Sequence, residues 1–338
     1  MTPLRCVYLC GEQSPYGLAH AAAIARHFDL RAVVIADQQR WRLFRAALGT
    51  DDEVPAAPGL RERLGNVRRR VRRFRAHRRA HAELQRLGVP LIETHDVNAP
   101  QALARIQAFE PEILLSAAFP QIFKPALLKL APRGAINFHP SRLPRCRGAH
   151  PHYWSLASGE TLGGVSAHFM TPKIDDGDIV AQRSIALDGL YYDELYRQII
   201  AESAPLVADV AEFLGDPEAV AVPQDASLVS YFRSERLADR QLLFQNSAVE
   251  LWNRVRAGRS FFYHQNRLVS VERAHVWTQD SSVPMVSGSV IRCDDAGFVV
   301  AAGDGQGLIV AALRHGGRGY TGAQCWQQLH VAVGDHLE

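Results

Sequence analysis

The chain has 338 residues, 47% hydrophobic and 22% charged, with a net charge of +3. That length suits two domains rather than one, the composition is that of a globular protein, and the charge is too small to point to nucleic acid by itself. Cys6, Cys10, Cys146, Cys293 and Cys325 are odd in number and scattered. They predict free thiols in a reducing cytoplasm and no metal site. No segment reaches the ~20 apolar residues of a membrane helix. The N-terminal MTPLRCVYLCGEQSPYG meets Gly and Pro too early for a signal peptide.

In chain order, LRCVYLC (4–10) reads as a buried strand, LAHAAAIARHF as a helix and RAVVIAD (31–37) as a second strand. This βαβ opening predicts a doubly wound, Rossmann-like parallel sheet. The loop Gly11–Gly17 is not GxGxxG, so no dinucleotide site is expected. Residues 61–86 hold eleven arginines, and Leu64, Val67, Val71 and Phe74 step by three and four. A solvated amphipathic helix explains them; a phosphate-facing surface is the sharper alternative. The segment VPLIETHDVN gives a short strand, NAPQALARIQAFEP a helix, and EILLSAAF (112–119) a strongly apolar, central strand. After GAINFHPS come the strand GGVSAHFM (163–170), a turn and strand in IDDGDIVAQRSI, and one long helix, YYDELYRQIIAESAPLVADVAEFL. The polar, Pro-containing stretch 216–240 reads as a linker. Beyond it, SFFYHQ, RLVSVERAHVW, SGSVIRC, GFVVAAG and GLIVAAL are short strands separated by turn residues, a pattern that predicts a small OB-like β-barrel. The expected division is therefore 1–215, a linker at 216–240, and 241–338.

Asn137 and His139 stand two apart at the carboxyl end of a strand, so they share a face. That end of an open α/β sheet is where ligands bind. Asp175 opens the turn KIDDGDI, where Gly177 permits a tight backbone. A carboxylate can fix a histidine's tautomer and stabilise imidazolium, and an Asn NH2 can donate to a developing oxyanion. Together the three suit acyl transfer through a tetrahedral intermediate. Singly, each has a plain structural reading: a strand-end histidine, a turn-forming Asp, a loop-capping Asn. Ser141 is not in a GxSxG elbow. His139, His150 and His152 lack an acidic or thiol partner at metal-ligand spacing.

The stretch NFHPSRLPRCRGAHPHYWSLASGETLGGVSAHFMTPKIDDGDIVAQ resembles the core of the folate-dependent formyltransferases, which act on methionyl-tRNA, glycinamide ribonucleotide or amino sugars. The shared pattern falls on Asn137, His139, Ser141, Leu143, Pro144, Arg147, Gly148, Gly159, Glu160, Gly164, Val165, Asp175 and Gly177. More loosely, QNSAVELWNRVRA and GSVIRCDDAGFVVAAGDGQGLIV are similar to the family's C-terminal barrel. The resemblance implies an N-terminal formyltransferase domain with Asn137, His139 and Asp175 as catalytic residues. It implies 10-formyltetrahydrofolate as cosubstrate, held at Gln121, Ile122 and Phe123 and closed over by Pro172, Lys173, Ile174 and Asp175. Ser141, Arg147, Gly148 and Trp154 would shape the acceptor loop. Pro151–Trp154 is similar to the Pro-x-x-Trp of sugar enzymes, and HGGRGYTG stands where tRNA enzymes tend to carry lysines. The expected acceptor is thus an amine on a small molecule, a nucleotide-linked amino sugar or a hydroxylated amino acid. Methionyl-tRNA is the alternative, and a folate-binding module without turnover a further one. No membrane partner is expected, and a homodimer is a possible assembly.

Overall fold

A computed structural model describes residues 2–11, 14–36, 78–278 and 285–337. Most of the arginine-rich stretch 61–86, with Leu64, Val67, Val71 and Phe74, lies outside the described residues.

The chain forms two compact units that alternate along the sequence. The first takes Met1–Pro144, Gly164–Arg183 and Ile199–Leu228, and the second Arg145–Gly163, Ser184–Gln198 and Val229–Glu338.

The first unit is built on β1 (Arg5–Cys10), α1 (Pro15–His27), β2 (Asp29–Ala36), β3 (Leu91–Thr94), α2 (Pro100–Gln107), β4 (Ile113–Ala117) and β5 (Ala135–His139). These five strands pair in parallel in the order β3-β2-β1-β4-β5. The central strands β1 and β4 are apolar on both faces, as strands covered on both sides must be. Ser14 starts α1 by accepting from Gly17 N–H at 3.2 Å, with Pro15 in the first turn where its missing N–H costs nothing. One sheet edge continues through β7 (Leu162–Phe169) and β8 (Ile179–Ala186). β7 runs antiparallel to β5, so the expected parallel sheet is mixed at this edge. Between them in sequence, the two-residue β6 (Arg147–Gly148) pairs with β9 (Tyr231–Phe232) instead.

The single long helix expected over 191–214 is two helices, Tyr192–Ala201 and Ser203–Gly215. Pro205 is the reason: it has no N–H to donate and its ring would clash with the carbonyl four residues back.

The second unit carries β10 (Ser260–His264), β11 (Arg267–Trp277), β12 (Val290–Asp294), β13 (Gly297–Ala301), β14 (Gly307–His315) and β15 (Arg318–Thr321). They form a six-stranded antiparallel sheet around Leu251, Phe262, Phe298, Leu308 and Leu313. No described helix is long and apolar enough to cross a membrane.

One buried group makes the first unit acid-sensitive. His20 of α1 is fully buried, its Nδ1 bonded to the Tyr16 carbonyl at 2.8 Å, its ring 4.5 Å from those of Tyr16 and Phe138, and its Nε2 without a hydrogen-bond partner. Burial pulls its pKa down to about 4 from 6.5. The unfolded chain therefore takes up a proton that the folded chain refuses. Stability is full above about pH 6.5 and falls as the pH drops toward 4, by about 3 kcal/mol at the limit. His20→Leu should flatten that part of the stability–pH curve, read by urea unfolding at a series of pH values. An unchanged slope would remove His20 as its cause.

Candidate active site

The carboxyl end of β5 presents Asn137 and His139 on one face, while Phe138 between them turns its ring to His20. On β7, His168 lies opposite Asn137 and Ser166 opposite His139. Opposed residues of an antiparallel pair share a face, so four polar side chains meet there. His139, His168 and Ser166 are buried and Asn137 is half-buried.

Asp175 reaches this patch from the turn between β7 and β8. Its Oδ2 lies 3.6 Å from His139 Nδ1 and its Oδ1 3.4 Å from His168 Nε2. Its side chain is only 11% exposed, and a carboxylate so buried needs cationic or donor partners. The His139 imidazole is one such partner, and His168 is another when its Nε2 is protonated. Asp175 sits at φ 51, in the left-handed region. The Gln224 amide holds the turn by donating to the carbonyls of Asp175 (2.9 Å) and Gly177 (2.7 Å). A Cβ on Gly177 would come within 1.9 Å of the Phe169 carbonyl oxygen, so glycine is required there.

His168 did not stand out in the sequence. Its Nδ1 lies 2.8 Å from the Phe169 carbonyl, which can only accept, so Nδ1 carries a proton. Its Nε2 lies 3.3 Å from Asn137 Nδ2 and 3.4 Å from Asp175 Oδ1. Neutral His168 accepts from the Asn137 amide; protonated, it donates to the Asp175 carboxylate. One atom, Nε2, thus faces both the amide and the carboxylate and bonds one of them at a time, as its protonation sets.

The chain leaving His139 is fastened by Ser166. Its hydroxyl donates to the Ser141 carbonyl (2.7 Å) and accepts from Leu143 N–H (3.1 Å) and the Gln182 amide (2.8 Å). Ser141 itself is buried.

The loops expected to hold folate divide by role. Gln121 spends its amide on the loop before α2: its oxygen accepts from Val97 N–H at 2.8 Å and its NH2 donates to the His95 carbonyl at 2.7 Å. Phe123 is buried in the core beside Phe119. Both side chains hold the loop. Ile122 is 63% exposed and Ile174 40%, and both offer apolar surface. Pro172 and Lys173 are exposed, and the Lys173 ammonium lies 3.6 Å from Asp176.

Arg147, Gly148 and Trp154 belong to the second unit. Arg147 is buried. Gly148 has φ 95, and a Cβ on it would meet the Phe232 carbonyl at 2.2 Å. Trp154 stacks on Phe232 with centroids 4.7 Å apart and donates to the Arg233 carbonyl at 2.8 Å. Cys146 is no nucleophile, since burial pushes its thiol up to about 11. Among the described residues no cluster of His, Cys, Asp and Glu could hold a metal ion.

An α/β unit with an antiparallel second unit is a fold shared with known transferases. Two profiles match the chain: Formyl transferase over residues 67–205 and Formyl transferase, C-terminal domain, over 236–330. The chain belongs to this family and is a folate-dependent formyltransferase. The family's formyl donor is 10-formyltetrahydrofolate. The chain is 27% identical over 239 residues to a methionyl-tRNA formyltransferase of Halalkalibacterium halodurans, covering 70% of this chain and 75% of that one. It is 28% identical over 250 residues to the enzyme of that name from Moorella thermoacetica, covering 73% and 80%. Solved structures of similar fold include WlaRD, a sugar 3N-formyl transferase, with a TM-score of 0.61, 14% identity and coverage of 93% and 99%. Another is HypX from Aquifex aeolicus, with a TM-score of 0.55 and 12% identity. The match covers 98% of this chain but only 50% of HypX, so the chain spans about half of that protein's length. At such identities the likeness is one of fold.

Proposed function

We propose that the chain moves the formyl group of 10-formyltetrahydrofolate to the amine of a small molecule, such as a nucleotide-linked amino sugar or a hydroxylated amino acid. The observation that carries the mechanism is the meeting of Asn137, His139, His168 and Asp175 in one patch within the family-matched segment. The exposed apolar side chains of Ile122 and Ile174 fit a planar ring system. Folate would lie against these side chains and the backbone of their loops, and it supplies the electrophilic formyl carbon.

The neutral acceptor amine attacks that carbon, a C–N bond forms, and the carbonyl oxygen takes up negative charge. Asn137 Nδ2 and protonated His139 donate to this oxygen. Their value lies in being fixed before the charge appears. His168 holds the Asn137 amide, and Asp175 holds His139. The amine proton passes, with help from Asp175, to the folate nitrogen as its bond to the formyl carbon breaks. The products are the N-formyl compound and tetrahydrofolate.

The small acceptor is supported by Pro151–Trp154 and by the absence of lysine from 315–322. A second reading, methionyl-tRNA, is supported by the names of the sequence relatives. Initial rates with 10-formyltetrahydrofolate and a panel of nucleotide-linked amino sugars, hydroxylated amino acids and initiator methionyl-tRNA separate the two. We expect a small amine to give the highest kcat/KM and a shallow dependence on salt. Contacts to Z phosphates of a duplex would instead give a steep slope of about −0.9Z. Efficient formylation of methionyl-tRNA, abolished by neutralising Arg69, Arg72 and Arg73, would reverse the assignment.

A further inference from the structure

The second unit contains a cavity of about 570 Å³ lined only by its own residues, within the usual ~300–1,000 Å³ of small-ligand sites. Arg256, Arg259, Arg273 and Arg314 line it, against Asp193 and Glu272. Both carboxylates are engaged: Glu272 pairs with Arg314 at 2.9 Å, and Asp193 with Arg273 at 3.7 Å. No carboxylate forms an ion pair with Arg256 or Arg259 among the described residues.

Arg256 is only 4% exposed. Its guanidinium lies 4.2 Å over the Trp252 ring and donates to neutral acceptors, the Leu187 carbonyl and Asn253 Oδ1. Its Nε has no hydrogen-bond partner. Burying a cation with an unused donor is costly, and a bound anion would offset that cost. Two backbone irregularities adjoin the same cavity. Arg259 is a non-glycine residue at φ 60, and the pairing of β11 with β14 shifts register on both sides of Arg273. Bulges and left-handed residues are devices that re-aim side chains at sites.

We propose that this cavity binds the phosphate group of a small phosphorylated molecule, with exposed Arg259 as the donor and buried Arg256 as the fixed positive charge beside it. Two uncompensated guanidinium groups match a phosphate ester, whose charge is about −1.5 to −2 at neutral pH, and the planar fork of Arg259 suits its oxygens. RNA would spread its charge over many surface cations, whereas here one buried and one exposed arginine share a single cavity. The inference is independent of which amine is formylated.

The test is calorimetric titration of the full-length chain with pyrophosphate as the probe. One equivalent should bind. Arg259→Gly should weaken it by about tenfold or more while leaving turnover unchanged, because glycine suits a positive φ and keeps the fold. Arg259→Gln provides the same test with a side chain retained. Absence of binding to the wild-type chain at millimolar pyrophosphate, or equal binding by both variants, would overturn the proposal. So would a single-stranded RNA oligonucleotide that displaces pyrophosphate and loses its own affinity in the same variants, since it would give the site to nucleic acid.

Discussion

His139→Ala is expected to lower kcat by about 10²–10³-fold while the protein stays folded. Its imidazole is buried against Asp175 and shares a face with Asn137, so in the proposed mechanism its removal takes away a donor fixed before charge develops. Asn137→Ala and Asp175→Ala should each cost a similar factor. The effects should not multiply in the double variants, because groups that act as one unit lose their function together. His168→Gln should cost less, since it acts on Asn137 and Asp175 rather than on the reacting atoms. Steady-state kcat with a thermal melt of each variant reads the outcome. Wild-type turnover in any of the three alanine variants would remove that residue from the mechanism.

Gly177→Ala should damage both fold and turnover. An added Cβ would sit 1.9 Å from the Phe169 carbonyl oxygen, backbone that cannot simply rotate away. The turn must shift, at a cost of about 1–3 kcal/mol. Asp175 lies two residues back in that turn, and misplacing a group by about 1 Å can cost about 10²-fold in rate. Gly189→Ala is the control: it has φ 65 but nothing within 4 Å of its Cβ. It should lose a little stability through backbone strain alone and keep full kcat. Equal behaviour of the two variants would show that the contact at Gly177 does not position Asp175.

Much of the strand pattern was legible because burial on both faces writes itself as an apolar run. EILLSAAF contains β4, whereas RLVSVERAHVW, which coincides with β11, is marked by its valines between polar residues and is buried at only some positions. Asn137 and His139 could be paired from their two-residue spacing, and Asp175 and Gly177 from the turn chemistry. His168 could not be found this way. In VSAHFM it is one polar residue in a strand, and only the cross-strand register places it opposite Asn137. Register depends on pairings distant in sequence. The capacity of Gln121 to anchor the His95–Val97 backbone was hidden for the same reason. The short strand β15 was missed because RGYT has no alternation to mark it. The break before Pro205 was present in the letters and was outweighed by the helical period on either side.

The alternation of the two units along the chain bears on how the protein is made. Translation delivers the chain from its N-terminus, and domains generally fold as units as they emerge. Here residues 145–163 and 184–198 leave the ribosome before the 229–338 segment with which they form a unit. They must wait for it, and contacts between distant segments form slowly. The first unit is completed only by 199–228, so neither unit can finish early in synthesis. A premature stop near residue 215 would release a nascent chain with both units incomplete, a substrate for chaperones rather than a shorter enzyme.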